Sequence, residues 1–336
     1  MVEPIKSIQI LRLIAVISVI HVHLKTIPQY GNFGVDIFFV ISGFIMALNV
    51  SKEKLALKFA IKRATKIVPL YWITTTTIYI TIITSPTLFQ SQTLERSSFQ
   101  TYIKSLFFVS YISPDSWSAD PILHVGWSLN YEIYFYALIT LALYLKTNHT
   151  IKITGTLLTI TFLAGQLENQ SSASHFFRND IFFEFIFGFI VYEVHQHKAL
   201  IARPKILLIA IAMSSYLYMA MIEANGGLTN ARSIDYGVPA TTLTLASILL
   251  EKYIPQNNVH IRMLEGLGGA SYAIYLTHGH IIAVLNKIFL DKLNLFDASS
   301  PIRALVTITL ALLAGKIIHD TIEMPLSRHI RSSVTS

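Results

Sequence analysis

Polar and apolar positions fall into long blocks along this chain. Apolar runs occur near 8–24, 35–50, 68–84, 125–145, 151–167, 181–195, 206–222, 236–250, 272–288 and 302–318. Several fall a little short of the ~20 residues of a typical membrane-spanning helix, but their number and regular spacing predict ten spans. A further apolar segment, 102–112, has half the needed length and reads as a partly buried or re-entrant helix. The first run, IQILRLIAVISVIHVHL, carries Arg12, His21 and His23. A charge inside a membrane span is costly and usually functional.

Composition fixes the class. The chain has 336 residues, 53% hydrophobic and 13% charged, whereas a soluble domain carries about 25% charged residues. Its mean hydropathy is +0.54. The expectation is an all-α polytopic bundle forming a single integral membrane domain, 1–336, with no appended soluble domain. The chain contains no cysteine, which excludes disulfides, a thiol nucleophile and cysteine-based metal sites. The net charge of +7 is read as loop bias, not as a nucleic-acid surface. With the N-terminus inside, sixteen Lys and Arg fall on inner segments and six on outer ones. That asymmetry predicts both termini on the cytoplasmic side and a multi-pass protein of a bacterial inner membrane. The arginine within the first apolar run argues against a cleaved signal peptide.

The segment 51–69 is the most basic part of the chain and reads as an inner loop. Lys58, Lys62 and Lys66 share a helical face, with Arg63 beside them. Two readings stay open: contact with anionic lipid, or a phosphate site for a polyanionic cofactor. On the first span, Arg12 and His23 are eleven residues apart, so they share a face about 16 Å apart along the axis. Asp36 opens the second span at the depth of His23. It is either a helix-start acid favoured by the dipole or a carboxylate that orients the imidazole. Glu132 lies about 10 Å into the fourth span by helical rise and requires a partner such as Arg12, Arg178 or a tyrosine. Trp127 and the tyrosines that follow belong to an aromatic belt or line a sugar or acyl pocket. Glu184 is a further buried acid. Gly266, Gly268 and Gly269 serve close helix packing or close approach to a ligand. His278 is a buried polar contact or a catalyst. No set of histidines has convincing zinc-ligand context, so no metal is expected.

Taken together, these residues resemble the acyltransferase-3 family of ten-span membrane proteins, and its exopolysaccharide-modifying branch in particular. The resemblance rests on Gln9 to Arg12 followed by His23, Gly34 to Phe44, Lys62-Arg63-x-x-Lys66-Ile-Val-Pro69-Leu-Tyr71, and Trp127-Ser128-Leu129 with Glu132, Phe135 and Tyr136. It continues through the Glu184–Gly188 block, Ser271-Tyr272 with Tyr275, Leu276 and His278, and Glu323-Met-Pro325. It implies transfer of an acyl group, usually acetyl, from cytosolic acyl-CoA to a carbohydrate hydroxyl of an envelope or exported glycan.

The family's functional positions carry onto Arg12, His23, Arg63 and Lys66. The expected catalytic set is His23, Asp36, Arg12 and Glu132. Lys62, Arg63, Lys66 and Tyr71 are expected to hold acyl-CoA, and Trp127, Tyr136, Arg178 and His278 to meet the carbohydrate acceptor. This chain has Lys62 and Lys66 where the family commonly has arginine, and lysine binds phosphate without the bidentate fork. Direct transfer and an acyl-histidine relay both remain open, as does a homo-oligomer. The rival classes are a secondary transporter or flippase for a glycan or lipid intermediate, and a non-catalytic partner in polysaccharide export.

Overall fold

The computed structural model describes residues 5–24, 30–53, 55–85, 98–109, 121–146, 148–167, 172–197, 204–287 and 300–335. Among them every regular element is helical. The α-helices are α1 (Lys6–Val22), α2 (Gly34–Val50), α3 (Ala56–Thr84), α4 (Phe99–Leu106), α5 (Gly126–Tyr144), α6 (Thr150–Gly165) and α7 (Ser172–Phe177). They continue with α8 (Phe182–Gln196), α9 (Lys205–Ala224), α10 (Val238–Leu250), α11 (Val259–Gly269), α12 (Ser271–Leu285), α13 (Pro301–Ile318) and α14 (Met324–Thr335). π-turns at Ser233–Gly237 and His319–Glu323 lead into α10 and α14.

Each of the ten predicted runs coincides with a helix, and α4 overlaps the first half of the half-length segment, whose last three residues lie outside the described ones. Three helical stretches, Ala56–Thr84, Lys205–Ala224 and Pro301–Ile330, are long and apolar enough to cross a membrane by length and composition. Others are shorter; α1 and α2 have 17 residues each, about 25 Å of rise. Most of the segment 85–124, expected on the outer side, lies outside the described residues.

One boundary is corrected. The basic segment expected as an inner loop is largely helical, because α3 begins at Ala56 and runs through Pro69 for 29 residues. A proline inside a helix cannot donate to the carbonyl four residues back, here that of Thr65. The Ser327 hydroxyl donates to that carbonyl at 3.2 Å, so the acceptor is satisfied and the helix continues.

The chain forms two compact units, Met1–Lys52 with Asp180–Tyr272 and Glu53–Asn179 with Ala273–Ser336. In the first, the Glu251 carboxylate accepts from the Lys6 and Ser7 amides at 3.1 and 2.7 Å, capping donors that every helix start leaves unsatisfied. Glycines then let backbones touch. A Cβ on Gly268 would lie 1.9 Å from the Gln9 carbonyl oxygen, and one on Gly188 would lie 2.3 Å from that of Val40. The glycine cluster before α12 thus includes one position, Gly268, required by the packing of α11 on α1. Around these contacts Ile8, Leu11, Phe33, Ile37, Phe44 and Tyr236 belong to one buried apolar cluster.

In the second unit α3 and α5 run antiparallel. The Phe59 and Tyr136 rings meet edge to face at 6.2 Å, while a Cβ on Gly126 would lie 3.0 Å from the Tyr71 ring. The Tyr275 hydroxyl ties α12 to the start of α5, at 2.8 Å from Ser128 Oγ and 3.1 Å from the Val125 carbonyl.

Candidate functional site

His23 caps the C-terminus of α1 and is exposed. Its amide donates to the Ile20 carbonyl at 3.1 Å, so the last turn is tightened. Its own Nδ1 lies 2.7 Å from the Val19 carbonyl oxygen. A carbonyl can only accept, so Nδ1 carries the hydrogen, and in the neutral ring Nε2 is the basic nitrogen. The chain turns back close by: a Cβ on Gly31, at φ +134°, would lie 1.9 Å from the Ser18 carbonyl oxygen. Glu223 accepts from the Gly31 amide at 2.7 Å and from the Asn32 amide at 3.1 Å. His21 is held by the neighbouring turn, with Nδ1 2.8 Å from the Tyr30 carbonyl oxygen. Arg12 is half-buried on α1.

Asp36 is expected to orient His23, and the partner it meets in the structure is Arg232. Asp36 is fully buried in the first turn of α2. Its two oxygens accept from Arg232 Nε and Nη2, each at 2.8 Å. This is the bidentate fork that arginine forms with a carboxylate. The His23 Nδ1, for its part, meets the Val19 carbonyl of its own helix. Glu184, fully buried at the start of α8, interacts with the same Asp36–Arg232 pair. Arg232 is the residue that sequence reasoning missed. It counts there only as an outer-segment cation, although a buried acid at a span's start signals that some cation must answer it.

In the second unit, the basic turn of α3 and the motif that opens α5 come together. Arg63 is four residues beyond Phe59, and Glu132 four residues before Tyr136. Both therefore lie between the Phe59–Tyr136 and Tyr71–Gly126 contacts of the α3–α5 pair, as does Lys66. The Tyr136 hydroxyl donates to Glu132, so a tyrosine supplies the partner that this carboxylate requires. The Arg63 guanidinium stacks over Phe59 at 5.8 Å. Its Nε is buried and finds no acceptor among the described residues. A buried unmade hydrogen bond costs about 1–3 kcal/mol, so this atom calls for an acceptor. Lys62 and Lys58 already face a carboxylate: Glu53 lies 2.7 Å from Lys62 Nζ and 3.7 Å from Lys58 Nζ. The hydrogen bond from Lys62 holds the Glu53 carboxyl below the ordinary carboxylate range.

The remaining expected positions are more scattered. Tyr71 is fully buried and donates to the Ser105 carbonyl at 3.0 Å. Trp127 is half-buried, its ring 6.1 Å from that of Tyr131. Arg178 is exposed after α7. His278 is fully buried in α12, with Nδ1 2.7 Å from the Tyr275 carbonyl oxygen. Among the described residues no group of three or more His, Asp or Glu could hold a metal ion.

A family model described as an acyltransferase domain, acyltransferase-3, matches residues 5–319. The exopolysaccharide production protein ExoZ of Rhizobium meliloti (strain 1021) is 29% identical over 305 residues, covering 90% of this chain and 91% of its own. Acyltransferase MdmB of Streptomyces mycarofaciens is 24% identical over 341 residues, covering 91% and 83%. No solved structure gives a significant match.

Proposed function

The chain belongs to the acyltransferase-3 family, and we propose that it transfers an acyl group, most simply acetyl, from cytosolic acyl-CoA to a hydroxyl of an envelope or exported polysaccharide. Its helices form a ten-span, multi-pass protein of the inner membrane with both termini inside. The similarity to ExoZ, named for exopolysaccharide production, supports a polysaccharide acceptor. The observation that carries the donor assignment is the buried Arg63 Nε without an acceptor, on a turn that also holds Lys62 and Lys66. A phosphate oxygen supplies the missing acceptor.

In this mechanism His23 Nε2 takes the proton of the acceptor hydroxyl as its oxygen attacks the thioester carbonyl. The carbon–sulfur bond breaks, and the proton passes from the imidazolium to the leaving sulfur, giving the ester and free CoA. The Val19 carbonyl holds Nδ1–H and keeps Nε2 as the base. Arg12 supplies a fixed positive charge on the same helix. General-base assistance is worth about 10²–10⁴ in rate.

The donor assignment is tested by binding acetyl-CoA to purified protein in detergent. A charged hydrogen bond contributes about 1.5–3 kcal/mol, so Arg63→Ala is expected to raise Kd about tenfold or more. Unchanged affinity overturns the assignment of the basic turn to CoA.

A further inference from the structure

The Glu323-Met-Pro325 motif and the helix it opens have no part in the reaction proposed above. In the structure Glu323 is buried and lies 2.7 Å from His319 Nδ1 across the π-turn His319–Glu323. Directly after it, α14 reads MPLSRHIRSSVT, with three basic or titratable residues, Arg328, His329 and Arg331, and no acid. Its Ser327 donates to the Thr65 carbonyl. That carbonyl is open because of Pro69, and Thr65 sits between Arg63 and Lys66. The proline that follows the basic motif therefore creates the acceptor on which α14 docks, beside the proposed phosphate site. Arg328, next to the docking serine, is exposed.

We propose that α14 completes the donor site and that Arg328 binds the 3′-phosphate of CoA, which makes it a specificity-determining residue; this rests on the acyl-CoA reading of the basic turn. CoA carries two separate anionic groups, a diphosphate and a ribose 3′-phosphate. Arg63 and Lys66 on α3 answer the diphosphate. The 3′-phosphate stands apart from it and requires a cation from another element. Lys62 and Lys58 share Glu53, whereas α14 brings positive charge with no carboxylate of its own.

The test compares CoA with dephospho-CoA, which lacks the 3′-phosphate, on purified protein in nanodiscs made with and without anionic lipid. Wild type is expected to bind CoA about tenfold more tightly, the value of one charged hydrogen bond. Arg328→Ala should bring CoA down to the dephospho-CoA level and leave dephospho-CoA unchanged, while Arg328→Lys keeps part of the preference. If Arg328→Ala keeps the full preference, or weakens both ligands equally, the inference is overturned alone. The same holds if its effect appears only with anionic lipid, because α14 then serves lipid headgroups. A wild type that binds neither ligand overturns the acyl-CoA reading as well.

Discussion

Asp36 and Arg232 are separated by 196 positions in the chain, yet each is the other's bidentate partner. Removing one member of a buried ion pair costs about 3–5 kcal/mol, because the other charge stays buried. Asp36→Ala is therefore expected to lower the thermal stability of the purified protein sharply, and Asp36→Ala with Arg232→Ala to lose less than the two singles added together. An Asp36 that served the imidazole would instead lose transfer at unchanged stability. The acid was legible in the sequence because a carboxylate at the start of an apolar run must be answered. Its partner was not, since sequence distance says nothing about which cation folds onto it. His23 gives the converse case. Its place at the end of α1 was legible from the end of the apolar run, but the main-chain carbonyl that meets its Nδ1 is something no side-chain pattern records.

At the scale of elements, hydropathy located the helices well, because each of the ten runs is apolar along most of its length, whether its side chains are buried or, as in most of α9 and α13, exposed. It misplaced the start of α3. Lysines before a proline read as a loop, whereas Ser327 takes up the carbonyl that Pro69 leaves open and the helix runs on. Which helices pair was not legible: the glycines before α12 suggested close packing but named no partner. The α2–α8 contact turns on a glycine that sequence reasoning passed over: a Cβ on Gly188 would lie 2.3 Å from the Val40 carbonyl oxygen and 2.6 Å from the Phe44 nitrogen. Backbone cannot yield as a flexible side chain does, so Gly188→Ala should cost at least the ~1–3 kcal/mol of an overpacked core. Gly155 in α6 meets nothing within 4 Å, and Gly155→Ala there should be neutral or stabilising by about 0.5–1 kcal/mol. Thermal unfolding of the two variants side by side reads the difference.

For the whole molecule, the all-helical class and the family were legible because apolar content and the order of motifs are distributed over the entire length. The division into two compact units was not legible. The chain leaves the first unit after Lys52 and re-enters it at Asp180, with no linker-like composition at either point. His23 and Arg12 fall in the first unit, and the basic turn with Glu132 and Tyr136 in the second. The central claim is that His23 is the base for transfer from acyl-CoA to the glycan. It is tested most directly by following labelled acetyl from acetyl-CoA into polysaccharide in membranes that carry wild type or His23→Ala at equal levels of folded protein. The account predicts that the label entering polysaccharide falls by about 10²-fold or more in the variant; incorporation at the wild-type rate would contradict it.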